Sequence, residues 1–206
     1  MQLRSEDLAY WYLRLNGFLS IQNFIVHPDG GSNQETDVDL MAVRFPFRAE
    51  NLVRPMRDDR PFVGIRQPYV AFTEVKAGRC SLNGPWTNPE RQNMLRVLAA
   101  LGAFTRKENE WIASELYGQG FFQNQLYRVS LLCFGAERND ELAETFPKVP
   151  QLIWSEVLLF IFNRFGEYKR QKKSNGQWDQ TGKLLWKKAE EFRRDPEAFC
   201  SHFVIV

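Results

Sequence analysis

Apolar residues near the start of the chain recur at helical spacing. The stripe consists of Leu8, Trp11, Tyr12 and Leu15, which fall at positions i, i+3, i+4 and i+7. Ser5 precedes the stripe as a predicted N-cap, and Gly17 follows it as a predicted stop. The pattern therefore predicts an amphipathic first helix that buries one face.

Alternating and continuous apolar runs predict the remaining elements. Strands are expected over 18–27, 36–45, 71–77 and 127–134, and helices over about 88–101, 106–117, 150–166 and 180–195. The connecting segments predict a turn at 28–33, a long surface excursion at 46–70, a basic flexible link at 169–176, and a terminal strand or docked tail at 202–206. This order of elements predicts an α/β sandwich with a mixed central sheet flanked by helices.

Charged side chains interrupt two of the predicted strands. Residues two apart on a strand share a face, so Asp37 lies on the same face as Asp39. By the same rule, Glu74 shares a face with Lys76 on a later strand. If the two strands are neighbours, the carboxylates of Asp39 and Glu74 meet beside the ammonium group of Lys76.

Two carboxylates at one point predict a binding site for a hard cation. Within about 4–6 Å, each carboxylate raises the pKa of the other, and a Mg²⁺ ion that binds both removes this repulsion. Lys76, about 7 Å along the strand from Glu74, could orient an attacking water or stabilise charge on a phosphate. The pattern thus suggests phosphodiester hydrolysis, and the alternative is an ordinary ion pair between Lys76 and an acid at the end of the sheet.

The distribution of charge is more informative than the net charge of +2, which alone does not indicate a nucleic-acid binder. Residues 1–43 carry six acids and two basic side chains, whereas 44–66 carry six arginines. Residues 167–194 carry nine lysines or arginines against four acids. An acidic pocket between basic segments suits a metal site that acts on a polyanion, although such segments are also ordinary solvated faces.

Other features favour a soluble, cytoplasmic protein. The 17 Phe and 6 Trp residues are ample for a hydrophobic core, and Cys80, Cys133 and Cys200 form no CxxC pair that would predict a zinc site. The start of the chain lacks a signal-peptide pattern, and the longest apolar run, 157–162, is too short to span a bilayer. We therefore expect no membrane association.

The order of Asp39 and Glu74-Val75-Lys76 resembles the PD-(D/E)XK nuclease superfamily, which includes restriction endonucleases and Holliday-junction resolvases. The resemblance extends upstream, to the resolvase-like and Mrr-like branches. The matching features are Glu6 on the first helix, Gly17-Phe18 before the first strand, Ile25-Val26-His27, the Gly30-Gly31 turn, and the run from Glu35 to Val43. The match covers roughly residues 5–135 and departs from the family at Thr36-Asp37, where the proline of the motif could stand.

The resemblance implies a restriction-endonuclease-like fold and a Mg²⁺-dependent nuclease, with Mn²⁺ as a substitute, that acts on DNA as an endonuclease. It assigns Asp39 and Glu74 as metal ligands, the Val75 carbonyl as a further ligand, Lys76 as the catalytic lysine and Glu6 as an accessory acid. Asp37 remains a rival ligand because of the departure at this strand. A homodimer or a larger complex would suit the cutting of both strands.

The resemblance also divides the chain into a nuclease-like core over 1–140 and a C-terminal helical extension over 141–206 packed on that core. Trp86, in the loop after the Glu74 strand, could stack on a base, although packing is its expected role. Two other functions stay open. One is a catalytically silent protein of this fold that binds nucleic acid or completes a complex, and the other is an interaction protein whose acids and lysine only form ion pairs.

Overall fold

The computed structural model describes residues 1–27, 36–49, 51–53, 56–174 and 178–206, and the predicted turn at 28–33 lies outside them. The strands in these residues are β1 Gln2–Leu3, β2 Leu19–Val26, β3 Thr36–Arg44, β4 Tyr69–Val75, β5 Phe121–Gln123, β6 Arg128–Gly135, β7 Gln151–Ile153 and β8 Val204–Ile205. The helices are α1 Ser5–Leu15, α2 Gly84–Thr87, α3 Asn93–Leu101, α4 Arg106–Gln119, α5 Asp140–Thr145, α6 Trp154–Glu167, α7 Lys169–Lys172, α8 Gln180–Glu191 and α9 Pro196–Ser201.

A mixed sheet forms the centre of the molecule, with its strands in the order β2-β3-β4-β6-β5. β3 is antiparallel to both β2 and β4, whereas β4 and β6 run parallel. β5 and β7 pair with different parts of β6, the first antiparallel and the second parallel. The predicted α/β architecture with a mixed sheet flanked by helices is confirmed.

Two hydrophobic clusters lie on the two faces of the sheet. Leu40 and Ala71 face a cluster built with α1, α6, α8 and α9, while Met41 and Phe72 face a second cluster built with α3 and α4. This division follows from the alternation of side chains along a strand. All seven residues of β4 are buried, because the strand has neighbours on both edges and helices on both faces.

Residues 141–206 contribute to the sheet as well as to the helical layer. β7 extends the ladder of β6, and Trp154, Phe165, Leu185 and Phe199 belong to the same buried cluster as α1. The boundary at residue 140 stays a prediction, although the segments on its two sides share one core. The tail forms β8, which pairs in parallel with β1, so of the two predicted alternatives the terminal strand is the one observed.

The N-cap prediction for α1 is wrong. Arg4 occupies the N-cap position without a capping side chain, and Ser5 is the first helical residue. The backbone N–H of Ser5 donates to the carbonyl of Val206 at 2.8 Å. The Val206 carbonyl thus binds one of the first N–H groups of α1, which have no acceptor within the helix.

Three helix and link predictions also differ from the structure. The helix expected over 88–101 is interrupted at Gln92, whose φ of 55° separates a 3-10 turn over Pro89–Arg91 from α3. The first residues of the helix expected over 150–166 form β7 instead, because β6 offers them an edge to pair with. The link expected to be flexible begins with α7, and residues 175–177 lie outside the described part.

The described part of the 46–70 excursion is anchored in the core. Phe62 is fully buried, with its ring centroid 4.9 Å from that of Phe18. Asp59 accepts a hydrogen bond of 2.6 Å from the Tyr12 hydroxyl, and its backbone N–H donates to Asn16 Oδ1 at 2.9 Å. The long loop therefore closes one end of the α1 cluster.

Candidate active site

The pairing of strands β3 and β4 ends one residue before Asp39 and Glu74, the two carboxylates that the sequence pattern predicts to meet. Their antiparallel ladder ends at the pair of Leu40 and Thr73. One further step would set Asp39 opposite Glu74, but no described pairing continues there. On the β2 side, Asn23 stands opposite Asp39 with a left-handed φ of 50°, again without a described pairing. Asp39 therefore lies at a fork in the sheet, one residue beyond the described β3–β4 ladder and at an interruption within the β2–β3 ladder.

A backbone donor of β4 holds the Asp39 carboxylate. Asp39 Oδ2 accepts a hydrogen bond of 2.7 Å from the N–H of Val75. Because an extended residue directs its N–H and its C=O toward the same neighbour, the Val75 carbonyl also faces the Asp39 side of the fork. The structure thus brings Val75 and Asp39 together.

Glu74 is a buried carboxylate, 5% exposed, with a different donor on each oxygen. Lys76 Nζ donates to Oε1 at 2.5 Å, and Trp86 Nε1 donates to Oε2 at 2.5 Å. The Lys76 side chain is 27% exposed and also donates to Asn83 Oδ1 at 2.9 Å. The ion pair between Lys76 and an acid, which was the alternative interpretation of the sequence, is therefore present, and it lies beside Asp39.

Electrostatics tie Asp39 to the other two side chains. Burial is the largest cause that raises the pKa of Asp39 from 3.8 to about 6, and the charges of Glu74 and Asp37 act in the same direction. The Val75 N–H and the Lys76 ammonium lower the pKa but do not compensate. The charged form of Asp39 is therefore destabilised in the folded protein, and a bound cation would relieve this destabilisation.

Two other acids that the sequence analysis considered, Asp37 and Glu6, have no described hydrogen bond or ion pair with Glu74 or Lys76. Asp37 is exposed, and no described hydrogen bond or ion pair joins it to Glu74 or Lys76. Glu6 pairs with Arg4 at 3.7 Å, and the contacts of the described residues do not connect it to the cluster. Glu6 also belongs to α1, which packs on the opposite face of the sheet from Trp86.

Sequence reasoning missed the contacts of Asn83 and Trp86. Both belong to the short segment that follows β4 and contains α2, and each contacts one charged group of the cluster. Trp86 is only 1% exposed, which agrees with the expected packing role and excludes stacking on a base in this conformation. A buried indole needs an acceptor for its N–H, but the sequence does not indicate that Glu74 provides it.

The basic segments are partly committed to ion pairs within the chain. Arg44 is buried and contacts Asp58 at 2.5 Å, and Arg48 contacts the same carboxylate at 3.3 Å. Lys169 pairs with Glu190 on α8. The exposed cations of the C-terminal segment include Lys183, Lys187, Arg193 and Arg194.

A cavity of about 760 Å³ lies elsewhere, between α6, β7 and the loop around Asp59. Two pairs of its charged and polar groups bind each other, since Arg138 contacts Glu156 at 2.8 Å and Tyr12 donates to Asp59. Asp39, Glu74 and Lys76 do not line it. The candidate site is thus the fork in the sheet, and not this cavity.

No family model, curated protein or solved structure matches the chain. Across the described residues, no group of three or more His, Cys, Asp or Glu side chains is arranged to hold a metal ion. A Mg²⁺ site requires less than that, because one or two carboxylates with waters are its usual protein ligands. In the part of the chain that the structure describes, no helix is long and apolar enough to cross a membrane.

Proposed function

We propose that the chain is a metal-dependent nuclease of the PD-(D/E)XK type that hydrolyses phosphodiester bonds in DNA. The observation that carries the proposal is the fork between β3 and β4, where Asp39, Glu74 and Lys76 from separate parts of the sequence converge. Each chemical type that the resemblance requires is present in that cluster.

The donor set fits a hard divalent cation. Asp39 has one carboxylate oxygen bonded to Val75, and its Oδ1 has no hydrogen-bond partner among the described residues. Glu74 and the Val75 carbonyl would complete the protein ligands, and waters would fill the other positions of Mg²⁺. When bound, the ion would supply Lewis-acid polarisation of the phosphate.

Lys76 supplies a positive charge at the solvent-facing side of the cluster. Its ammonium can stabilise negative charge that develops on a phosphate oxygen, and Asn83 limits where the ammonium lies. Glu6 remains an accessory acid by resemblance only, since it pairs with Arg4. Contacts between exposed lysines or arginines and the DNA backbone would make binding sensitive to salt.

Cleavage of labelled linear, circular and branched DNA, and of RNA, tests the proposal. With Mg²⁺ or Mn²⁺, the wild type should cut, and Asp39→Asn and Lys76→Ala should each lose at least about a hundredfold in rate. Asp37→Asn is the matched control for a nearby acid and should keep activity. Absence of cutting, with nucleic-acid binding unchanged by these substitutions, would instead favour a binding module.

Metal binding provides a second and simpler readout. Mg²⁺ or Mn²⁺ should raise the melting temperature of the wild type, because a ligand that binds only the folded state stabilises it. Asp39→Asn should abolish this increase and Asp37→Asn should retain it. An equal increase in all three proteins would mean that the ion binds elsewhere.

A further inference from the structure

Trp86 is the only neutral side chain described as donating a hydrogen bond to Glu74, and it does so from a buried position. Its Nε1–H lies 2.5 Å from Glu74 Oε2, while the ring is 1% exposed. The indole stacks on Phe72, with ring centroids 6.4 Å apart and an interplanar angle of 14°. Packing therefore fixes the ring, and the ring fixes the direction of its N–H.

This contact decides how the Glu74 carboxylate is turned. The last torsion of a glutamate is broad, so burial alone does not select the position of each oxygen. The indole has a donor and no acceptor, and the direction of its N–H is fixed by packing, so its hydrogen bond to one carboxylate oxygen sets the plane of the carboxylate. The other oxygen, Oε1, then lies on the side of Lys76, the partly exposed partner.

The same short segment also contacts the lysine. Asn83, three residues before Trp86, accepts a hydrogen bond of 2.9 Å from Lys76 Nζ. Lys76 therefore has a second acceptor if its contact with Oε1 is given up. The segment that carries α2 thus supports both the carboxylate and the ammonium group.

We infer that Trp86 is a positioning residue that holds Glu74 Oε2 and thereby presents Oε1 to a divalent cation. The inference rests on the proposed function, because it assigns Glu74 to a metal site. Glu74 Oε1 would hold the cation, and Lys76 would keep Asn83 Oδ1 as its acceptor. Trp86 itself does not contact the cation.

Trp86→Phe removes the N–H and keeps most of the aromatic packing. We expect its affinity for Mn²⁺, measured by calorimetry, to fall by about 10–100-fold, as is typical for loss of a residue that orients a metal ligand. Trp111→Phe is the matched control, because Trp111 is exposed and lies away from the cluster. Its Mn²⁺ affinity should equal that of the wild type. Equal affinities in all three proteins would overturn the inference.

A spectroscopic readout in proteins that keep Trp86 does not depend on the folding of Trp86→Phe. The indole ¹H–¹⁵N signal of Trp86 should shift in Glu74→Gln, and Mn²⁺, which is paramagnetic, should broaden it at low occupancy. Trp11 provides an internal control, because its indole also donates to a carboxylate, that of Asp179, at 3.0 Å. Broadening of the Trp11 signal and not the Trp86 signal would overturn the inference.

The two proposals fail in different ways. If Mn²⁺ broadens the Trp86 signal and Trp86→Phe binds Mn²⁺ weakly, but no nucleic acid is cut, the positioning role stands and the nuclease does not. If the wild type cuts DNA and Trp86→Phe binds Mn²⁺ as tightly as the wild type, the nuclease stands and the positioning role is wrong. If Mn²⁺ does not bind, both are wrong.

Discussion

Asp39 is held where its own negative charge is unfavourable. Its pKa of about 6 means that the folded chain keeps this proton at pH values where the unfolded chain, with a pKa of 3.8, has lost it. Between these two values the folded state binds more protons, so its stability falls as the pH rises from about 4 to 6. Above pH 6 the Asp39 carboxylate is charged in both states, so the full destabilisation of the folded state is present. Raised pKa values of this kind are common for carboxylates that serve in binding or catalysis.

Replacement of this carboxylate should stabilise the metal-free protein. Asp39→Asn keeps an acceptor for the Val75 N–H and removes the charge beside Glu74, so we expect a gain of about 1–2 kcal/mol at pH 8. The gain should disappear near pH 4. Urea unfolding in the presence of a chelator at pH 4, 6 and 8 measures it, and the exposed Asp37→Asn should change stability by less than about 0.5 kcal/mol. A gain that is independent of pH would contradict the electrostatic account.

Residue-level reasoning from sequence was strongest where alternation and order sufficed. Strand alternation predicts that Glu74 shares a face with Lys76 and Asp39 with Asp37, whereas the pairing of Asp39 with Glu74 required the two strands to be neighbours, and the choice of Asp39 over Asp37 came from the resemblance. Trp86 and Asn83 could not be assigned, because their contacts depend on how one short segment folds back against β4. Loop closure of this kind has no periodic signal in the sequence.

Two helical glycines, Gly182 in α8 and Gly166 in α6, provide a matched test of how closely the helices pack. In α8, a Cβ on Gly182 would lie 1.9 Å from Cζ2 of Trp11 on α1, whereas a Cβ on Gly166 of α6 would meet no atom within 4 Å. Alanine favours a helix over glycine by about 1 kcal/mol. The clash at Gly182 outweighs that gain, since overpacking a core costs about 1–3 kcal/mol.

Gly182→Ala should therefore destabilise the protein, and Gly166→Ala should stabilise it. We expect a loss of about 1–2 kcal/mol for the first and a gain of about 0.5 kcal/mol for the second. Chemical unfolding at fixed pH measures both. Stabilisation by both substitutions would show that α1 and α8 are less closely packed than described.

Sequence periodicity predicts the long helices and strands, but it does not predict short elements whose conformation depends on tertiary contacts. The apolar stripe of α1 and the buried runs of β4 and β6 were identified from spacing. The sequence predicts a helix over Gln151–Ile153, because a three-residue strand is too short to show a period and forms only where β6 offers an edge. The break at Gln92 was missed for a similar reason, since a left-handed glutamine has no sequence signature.

The molecule as a whole depends on contacts across the predicted boundary at residue 140. Trp11 on α1 packs against Phe165 and Trp178, with centroids 6.3 and 5.7 Å away. A chain that ends at residue 140 would expose this face, so we expect it to lose cooperative unfolding in urea and dispersed amide signals. A chain that lacks only residues 204–206 should retain both. Native-like unfolding of the shorter chain would mean that 1–140 is an independent domain.

The pairing of β1 with β8 joins two strands that are far apart in the sequence, which bears on the order in which contacts form during folding. Gln2 pairs with Val204, and the N–H of Ser5 donates to the Val206 carbonyl, so these contacts close a loop of nearly the whole sequence. The entropic cost of closing a loop rises with its length, so these contacts are expected late in folding. During synthesis, β1 is made long before β8, so the N–H of Ser5 cannot bind the Val206 carbonyl until residue 206 has been made.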